Sequence, residues 1–357
     1  MMMKSVQRAF TVGLLLSVTG LASAAVMLKD GHPGKYYVKN GDTLWDISSR
    51  FLEEPWQWPE IWQINEEIGN PHLIYPGDEI RLSYVGGEPR LTVKRGVQET
   101  VMSNGVVKLT PRVREIANDE AIPMIPASAI AAYLKEGLVV TRQEIQEAPH
   151  VIGGRDRRVV FGEGDTIYAR DNRTQWEELQ QGYGVYRTGE QYVDPETNEV
   201  LGYEARQVGL GRVSNHEGEV VSLRLTDSTE DIRIDDRIFS TEDRRVRAVL
   251  YPSAPDTKIE AQVIRFFDRL NSVARNDVVV LNKGIRDGLK EGNVLDIFGK
   301  GEVVRDRQLG DNVALPAEKT GSMVVFRVFD KVSYGLIMES TRPIYMNDIA
   351  KSPAGSY

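Results

Sequence analysis

The residue types that carry metal and covalent catalysis are few and scattered in this 357-residue chain. Cysteine is absent, which excludes thiol peptidases and thiol-dependent transpeptidases because their covalent intermediates require a thiolate. None of the four histidines stands in a His-x-x-x-Asp, His-x-His or His-Glu-x-x-His spacing that would assemble a zinc site. They are His32, His72, His150 and His216. Neither Gly-x-Ser-x-Gly nor Ser-x-x-Lys occurs. We therefore expect no cofactor, no bound metal and no enzymatic activity.

Carboxylate chemistry is harder to exclude, because any two of the 52 Asp and Glu residues could converge into a glycosidase site. Glu339, followed by Ser340, is similar to the catalytic acid of lytic transglycosylases. It lies in an alternating run that predicts a strand, whereas that acid normally lies on a helix. We interpret Glu339 as a solvated strand residue, and a glycosidase stays open as an alternative function.

The N-terminus predicts export. Lys4 and Arg8 precede the apolar run Ala9–Val18, which is too short to span a bilayer comfortably, and small residues ending at Ala24 fit a cleavage site. The sequence thus predicts a signal peptide at residues 1–24 and a mature chain without a transmembrane segment. Loss of the two basic residues changes the formal net charge from −8 to −10, which disfavours nucleic acid and anionic membrane surfaces as partners.

The region that follows has patterns that predict two strands around two helices. Tyr36–Lys39 alternates as a strand does, and a Gly-Asp turn comes after it. Thr43 is a cap for a first helix with an acidic first turn, and Pro55 or Pro59 begins a second helix. Glu79–Leu82 alternates again, so we expect the two strands to pair in the antiparallel direction.

Three parts of this region, Tyr37–Ile47, Asn65 and Leu73–Ile80, together resemble a lysin motif (LysM) domain. The resemblance implies a βααβ domain at residues 33–84 that binds N-acetylglucosamine units of peptidoglycan or chitin between two loops. The implied glycan-binding residues are Gly41, Asp42, Thr43, Leu44, Asn70, Leu73, Ile74 and Tyr75. An acetamido group offers an amide donor, a carbonyl acceptor and a methyl group, which loop amides and one apolar side chain can match without any charge.

A purely structural role stays open for part of this set. Gly41 could serve only to shape a turn, and Leu44 and Ile74 could simply fill the small core. The Thr43 hydroxyl could be occupied as a helix cap.

The remaining chain divides by composition and pattern. The expected segments are a linker at residues 85–90, a mixed α+β domain at 91–158, and β-rich repeats at 159–256 and 257–352. The two repeats are visible as an internal duplication, because Asp165–Tyr168 aligns with Asp277–Val280 and Ser228-Thr229 aligns with Ser340-Thr341. Both alignments have an offset of 112 residues. The expected fold class is α+β.

The whole arrangement resembles the type IV pilus secretin-associated family. The resemblance combines the signal peptide, the Trp56–Trp62 and Val107–Val113 segments, and a C-terminal region similar to flagellar assembly protein T. It implies a periplasmic protein, bound to peptidoglycan near the outer membrane, that anchors the type IV pilus secretin and assembles as an oligomer or ring. The alternatives are a cell-wall glycosidase with a LysM targeting domain and a standalone wall-binding structural protein.

Overall fold

The computed structural model describes residues 26–62, 74–95, 122–126, 129–130, 137–155, 158–170, 182–241, 250–267, 271–301 and 303–354. These residues contain twenty strands and three α-helices, the longest of six residues. The predicted α+β class is therefore wrong, and the protein is predominantly β, because none of these helices is long enough to form a layer. No helix in these ranges has the length and apolarity needed to cross a membrane. The predicted signal peptide lies outside the described residues.

The first structural unit, here called the N-terminal module, contains three strands and two short helices. Its elements are β1 Lys35–Tyr37, α1 Leu44–Ser48, a 3₁₀ turn Pro55–Gln57, α2 Trp58–Ile61, β2 Glu79–Val85 and β3 Glu88–Lys94. The predicted antiparallel pairing of β1 with β2 is confirmed, with Lys35 opposite Arg81. Trp45 and Trp58 are almost completely buried between these elements, so they serve as core residues.

The segment that composition suggested as a linker, residues 85–90, contains the end of β2, the two-residue turn Gly86-Gly87 and the start of β3. Gly86 and Gly87 have φ values of 62° and 90°, which glycine adopts without the steric cost that other residues incur. Seven residue pairs extend from Glu79 opposite Lys94 to Val85 opposite Glu88. The Gly-Gly pair therefore reverses the chain between two paired strands.

The next unit is a seven-stranded sheet that we call the first barrel. Its strands are β4 Gly137–Val140, β5 His150–Gly154, β7 Thr166–Arg170, β8 Gly182–Val193, β9 Val200–Glu217, β10 Val220–Ser228 and β12 Arg237–Ser240. Pairing of β9 with β10 closes six of them into a ring, and β4 adds to the outside of β9. Two short strands, β6 Val160–Phe161 and β11 Ile232–Arg233, pair separately. Helix α3, Arg142–Glu147, connects β4 to β5.

The C-terminal unit is a closed six-stranded barrel that we call the second barrel. Its strands are β13 Glu260–Phe266, β14 Val278–Leu281, β15 Val294–Gly299, β18 Glu318–Val328, β19 Ser333–Ser340 and β20 Ile349–Lys351. A 3₁₀ turn covers Ile285–Asp287, and a separate hairpin consists of β16 Val303–Arg305 and β17 Asn312–Ala314. The barrel interior is filled by aliphatic side chains such as Val263, Leu295 and Ile337.

The two barrels have the same order of strand pairing. The ring order is β5-β7-β10-β9-β8-β12 in the first barrel and β13-β14-β19-β18-β15-β20 in the second. The corresponding pairs β7 and β14, β8 and β15, and β12 and β20 each begin 112 residues apart. This spacing equals the offset found between the two repeats in the sequence.

The turns before corresponding strands also share their hydrogen bonds. The Asp236 carboxylate accepts from the amide of Arg233 at 2.7 Å, and the Asp348 carboxylate accepts from the amide of Tyr345 at 2.8 Å. In both turns the preceding residue has a positive φ, 71° at Asp235 and 67° at Asn347. Asp and Asn tolerate this conformation better than most residues, which explains their presence at both positions.

The turn between β8 and β9 reaches from the first barrel to the second. The buried Asp194 carboxylate accepts a hydrogen bond of 2.8 Å from the Asn282 side chain. Glu199 is bonded to Arg286 at 2.8 Å and to Lys331 at 2.7 Å, and these bonds lower the pKa of Glu199 to about 2. Polar contacts therefore fix the β8–β9 turn against the second barrel.

One contiguous apolar cluster joins the N-terminal module to the second barrel. It contains Trp45 of α1, Phe326 of β18 and Tyr334 of β19, together with Ile122 and Met124 from the stretch that precedes the first barrel. The module is thus packed against the barrel through shared burial of apolar surface.

Candidate functional site

The first of the two predicted loops begins with a tight turn. Gly41 has a φ of 89° and is exposed, so its place in the turn depends on glycine geometry. The Asp42 carboxylate accepts from the Lys39 amide at 2.8 Å and from the Tyr36 hydroxyl at 3.0 Å. Asp42 therefore holds the loop in shape through its side chain.

Thr43 and Asp46 form a capping box at the start of α1, which confirms the predicted cap. The Thr43 hydroxyl accepts from the Asp46 amide at 3.1 Å and donates to the Asp46 carboxylate at 2.7 Å. Thr43 is 4% exposed, and Leu44 beside it is 1% exposed. Both side chains are committed to the fold, so the polar groups of this loop that can meet a ligand are main-chain amides.

The second predicted loop is described from Ile74 onward, and the predicted site residues Asn70 and Leu73 lie outside the described residues. Ile74 is completely buried and Tyr75 is nearly so. The Tyr75 amide donates to the Asp78 carboxylate at 3.1 Å, and the Arg95 guanidinium lies 5.0 Å from the centre of the Tyr75 ring. The Ile74 main-chain carbonyl accepts a hydrogen bond from the Ile122 amide.

The cleft between these loops contains a short segment of the same chain, Ile122–Ile125. The Leu44 amide donates to the Pro123 carbonyl at 3.0 Å, and the Trp45 amide donates to the Met124 carbonyl at 3.3 Å. On the other side, the Ile122 amide donates to the Ile74 carbonyl at 2.8 Å. The segment therefore bridges both loops through three main-chain hydrogen bonds. Sequence reasoning missed this contact, although the two prolines at 123 and 126 are typical of an extended, exposed-backbone stretch.

Ion pairs connect the module to the second barrel beside this cleft. Asp46 pairs with Arg275, and Lys319 lies 3.0 Å from the Glu54 carboxylate and 2.9 Å from that of Asp296. Burial raises the pKa of Asp296, and Lys319 opposes that rise. Burial acts to lower the pKa of Lys319, but the hydrogen bonds and charges of Asp296 and Glu54 together outweigh this effect and raise the pKa.

A polar cavity of about 640 Å³ lies beside the first loop. Charged side chains including Lys29, Asp46 and Arg275 line it. Asp42 of the first loop also lines the cavity, whereas Leu44 and Ile74 do not.

Glu339 lies on strand β19, as its alternating context predicts. The side chain is half-buried and not fully solvated as expected, because β19 packs inside the sheet next to β18. Burial raises the pKa of Glu339, and Lys319 opposes that rise. In the described ranges, no three His, Asp or Glu side chains group together in a way that could hold a metal ion.

A family model described as "LysM domain" matches residues 36–83. This region is a LysM domain. A LysM domain binds carbohydrate of the peptidoglycan type, so the chain carries a peptidoglycan- or carbohydrate-binding unit. The match begins in β1 and ends in β2, and it includes both loops of the cleft.

One curated relative, the "Uncharacterized protein YqbP" of Bacillus subtilis (strain 168), is 35% identical over 60 residues. The similar part covers 14% of this chain and 27% of that protein. The chain thus spans about a quarter of this relative's length, and the similarity does not extend to the barrels as a whole.

Proposed function

We propose that this protein is a non-enzymatic, periplasmic peptidoglycan-binding protein that anchors an envelope assembly to the cell wall. Its glycan site is the cleft of the LysM domain, bordered by the eight residues named from the sequence. Its assembly partner is the outer-membrane secretin of type IV pili, contacted by the two barrels, with several copies arranged as an oligomer or ring.

The observation that carries the glycan-binding proposal is the LysM match together with the main-chain groups of its two loops. The Leu44 and Trp45 amides and the Ile74 carbonyl point into one cleft and already bond to peptide groups there. An acetamido substituent is itself an amide with one N–H and one C=O, so it has the same hydrogen-bonding groups. Leu44 and Ile74 are buried in the same apolar cluster as Ile122, Met124 and Ile125, so their side chains can meet the acetamido methyl group only where that segment leaves them.

The glycan proposal is tested by sedimentation of the full-length protein with purified sacculi. We expect soluble N-acetylglucosamine oligomers to release the protein from the pellet, and cello-oligosaccharides to leave it bound. The two competitors share the glucose backbone and differ in the acetamido group, so the comparison isolates that group. Equal release by both sugars, or no sedimentation at all, would show that the acetamido group is not recognised.

The assembly proposal is supported by the resemblance of the whole chain to the secretin-associated family and by the tandem arrangement of the two barrels. A single shallow cleft binds weakly, and many copies on a ring raise avidity through effective concentration. Co-purification from solubilised envelopes tests it, and we expect a secretin to accompany the tagged protein. If no envelope protein accompanies it, a standalone wall-binding role replaces the anchoring role.

The non-enzymatic part of the proposal is tested by the turbidity of a sacculus suspension. We expect constant turbidity in the presence of the protein, and a Glu339→Gln variant to behave identically. A fall in turbidity that Glu339→Gln abolishes would support the glycosidase alternative.

A further inference from the structure

The segment Ile122–Ile125 makes contacts of the same type that a bound acetamido sugar would make. It receives hydrogen bonds from the Leu44 and Trp45 amides and gives one to the Ile74 carbonyl. These are the groups assigned above to the glycan, and each amide has a single proton to donate. A glycan that uses them can therefore bind only after the segment has left.

The side chains of this segment strengthen the contact. Ile122, Met124 and Ile125 are 6%, 7% and 5% exposed, and all three belong to the apolar cluster that includes Leu44 and Ile74. Only Pro123 between them is exposed. Burial of three large apolar side chains stabilises the docked segment. This stabilisation adds to that of the three main-chain hydrogen bonds, each of which contributes only modestly.

The contact is not part of a β-sheet, although its side chains also belong to the apolar cluster that joins the module to the second barrel. Residues 122–126 form no strand or helix. Ile122, Pro123 and Met124 make their described main-chain hydrogen bonds to Ile74 and to the first two residues of α1, and the Pro126 carbonyl accepts from the Ala129 amide. Departure of the segment would therefore leave the strand pairings of the module and of both barrels intact.

We propose that Ile122–Ile125 is a built-in competitor that occupies the glycan cleft, so that glycan binding and docking of this segment exclude each other. The proposal rests on the proposed glycan site. A segment that is docked in about nine of ten molecules weakens the apparent affinity for the glycan roughly tenfold, because only the open fraction can bind.

The affinity test compares the full-length protein with an Ile122→Asp, Met124→Asp double variant in calorimetric titration with an N-acetylglucosamine tetrasaccharide. Two carboxylates in the apolar cluster disfavour the docked state, so we expect the variant to bind roughly tenfold more tightly. The matched control is Leu309→Asp with Val313→Asp on the exposed β16–β17 hairpin, which has the same charge change and should bind like the unmodified protein.

A second measurement needs no variant. Hydrogen exchange of the Ile122 amide should accelerate when the tetrasaccharide saturates the protein, because its bond to the Ile74 carbonyl is lost. Sugar binding with an unchanged exchange rate at Ile122 would overturn the built-in competitor while leaving the glycan site intact. No sugar binding by the unmodified protein or by the folded double variant would overturn both the glycan site and the competitor.

Discussion

Replacement of Thr43 by alanine separates the structural role of the first loop from its binding role. The Thr43 hydroxyl makes two hydrogen bonds to Asp46, and the residue is 4% exposed. Loss of such a cap costs about 1–2 kcal/mol of stability. For a domain of this size, that cost lowers the melting temperature by roughly 4–8 °C per kcal/mol. The sugar affinity of the folded protein should change little, because the hydroxyl is already committed to the helix.

Tryptophan fluorescence is a suitable probe for this change. Four of the five tryptophans lie in the LysM domain, so the emission reports mainly on its unfolding. The matched control is Thr43→Ser, which keeps the hydroxyl and should melt close to the unmodified protein. Sugar affinity of Thr43→Ala is then measured by calorimetry well below its melting temperature.

Two outcomes with these variants would contradict the assignment of Thr43 as a helix cap. If Thr43→Ala melts with the unmodified protein but loses sugar binding, the hydroxyl contacts the ligand and the capping argument fails. If Thr43→Ser also loses stability, the loss comes from packing and not from the hydrogen bonds.

Two further predictions concern buried carboxylates. In Lys319→Met, the buried Asp296 loses its partner, so stability should be retained below about pH 4 and lost as the pH rises through the raised pKa of Asp296. Adding Asp296→Asn to this variant should remove the pH dependence. Chemical unfolding at several pH values measures the stability, and a profile that does not change with pH would contradict the prediction. Asp348→Ala should cost about 1–3 kcal/mol, because its turn loses the acceptor of the Tyr345 amide. Asp236→Ala should cost more, because it removes the equivalent acceptor and also the partner of Arg187; equal losses in chemical unfolding would contradict this.

The LysM domain was predictable because its signals are local. A capping residue followed three positions later by an acidic residue indicates where a helix begins. An alternating run on either side indicates a strand, and neither signal depends on distant contacts. The cap at Thr43 and the antiparallel pairing of β1 with β2 are confirmed on this basis. The internal duplication was also recognisable from the sequence, because it consists of short matching stretches that lie 112 residues apart.

The occupant of the cleft was not predictable in the same way. The bond between Leu44 and Pro123 joins residues far apart in the chain. Pro123 and Pro126 indicate an extended stretch, but nothing in the sequence shows which part of the chain that stretch contacts. The α+β expectation was wrong for a related reason. Short helical patterns are visible in the sequence, but the full length of strands such as Val200–Glu217 is not. Tertiary pairing sets strand length more strongly than local preference does.

The β8–β9 turn has a mechanical consequence. Its buried Asp194–Asn282 bond and the Glu199 ion pairs connect the two barrels across their boundary. A force applied to either barrel would then reach the other through shear of these bonds, without first stretching a flexible tether. Under the anchoring proposal, such a stiff joint would shorten the delay between tension at one barrel and resistance at the other.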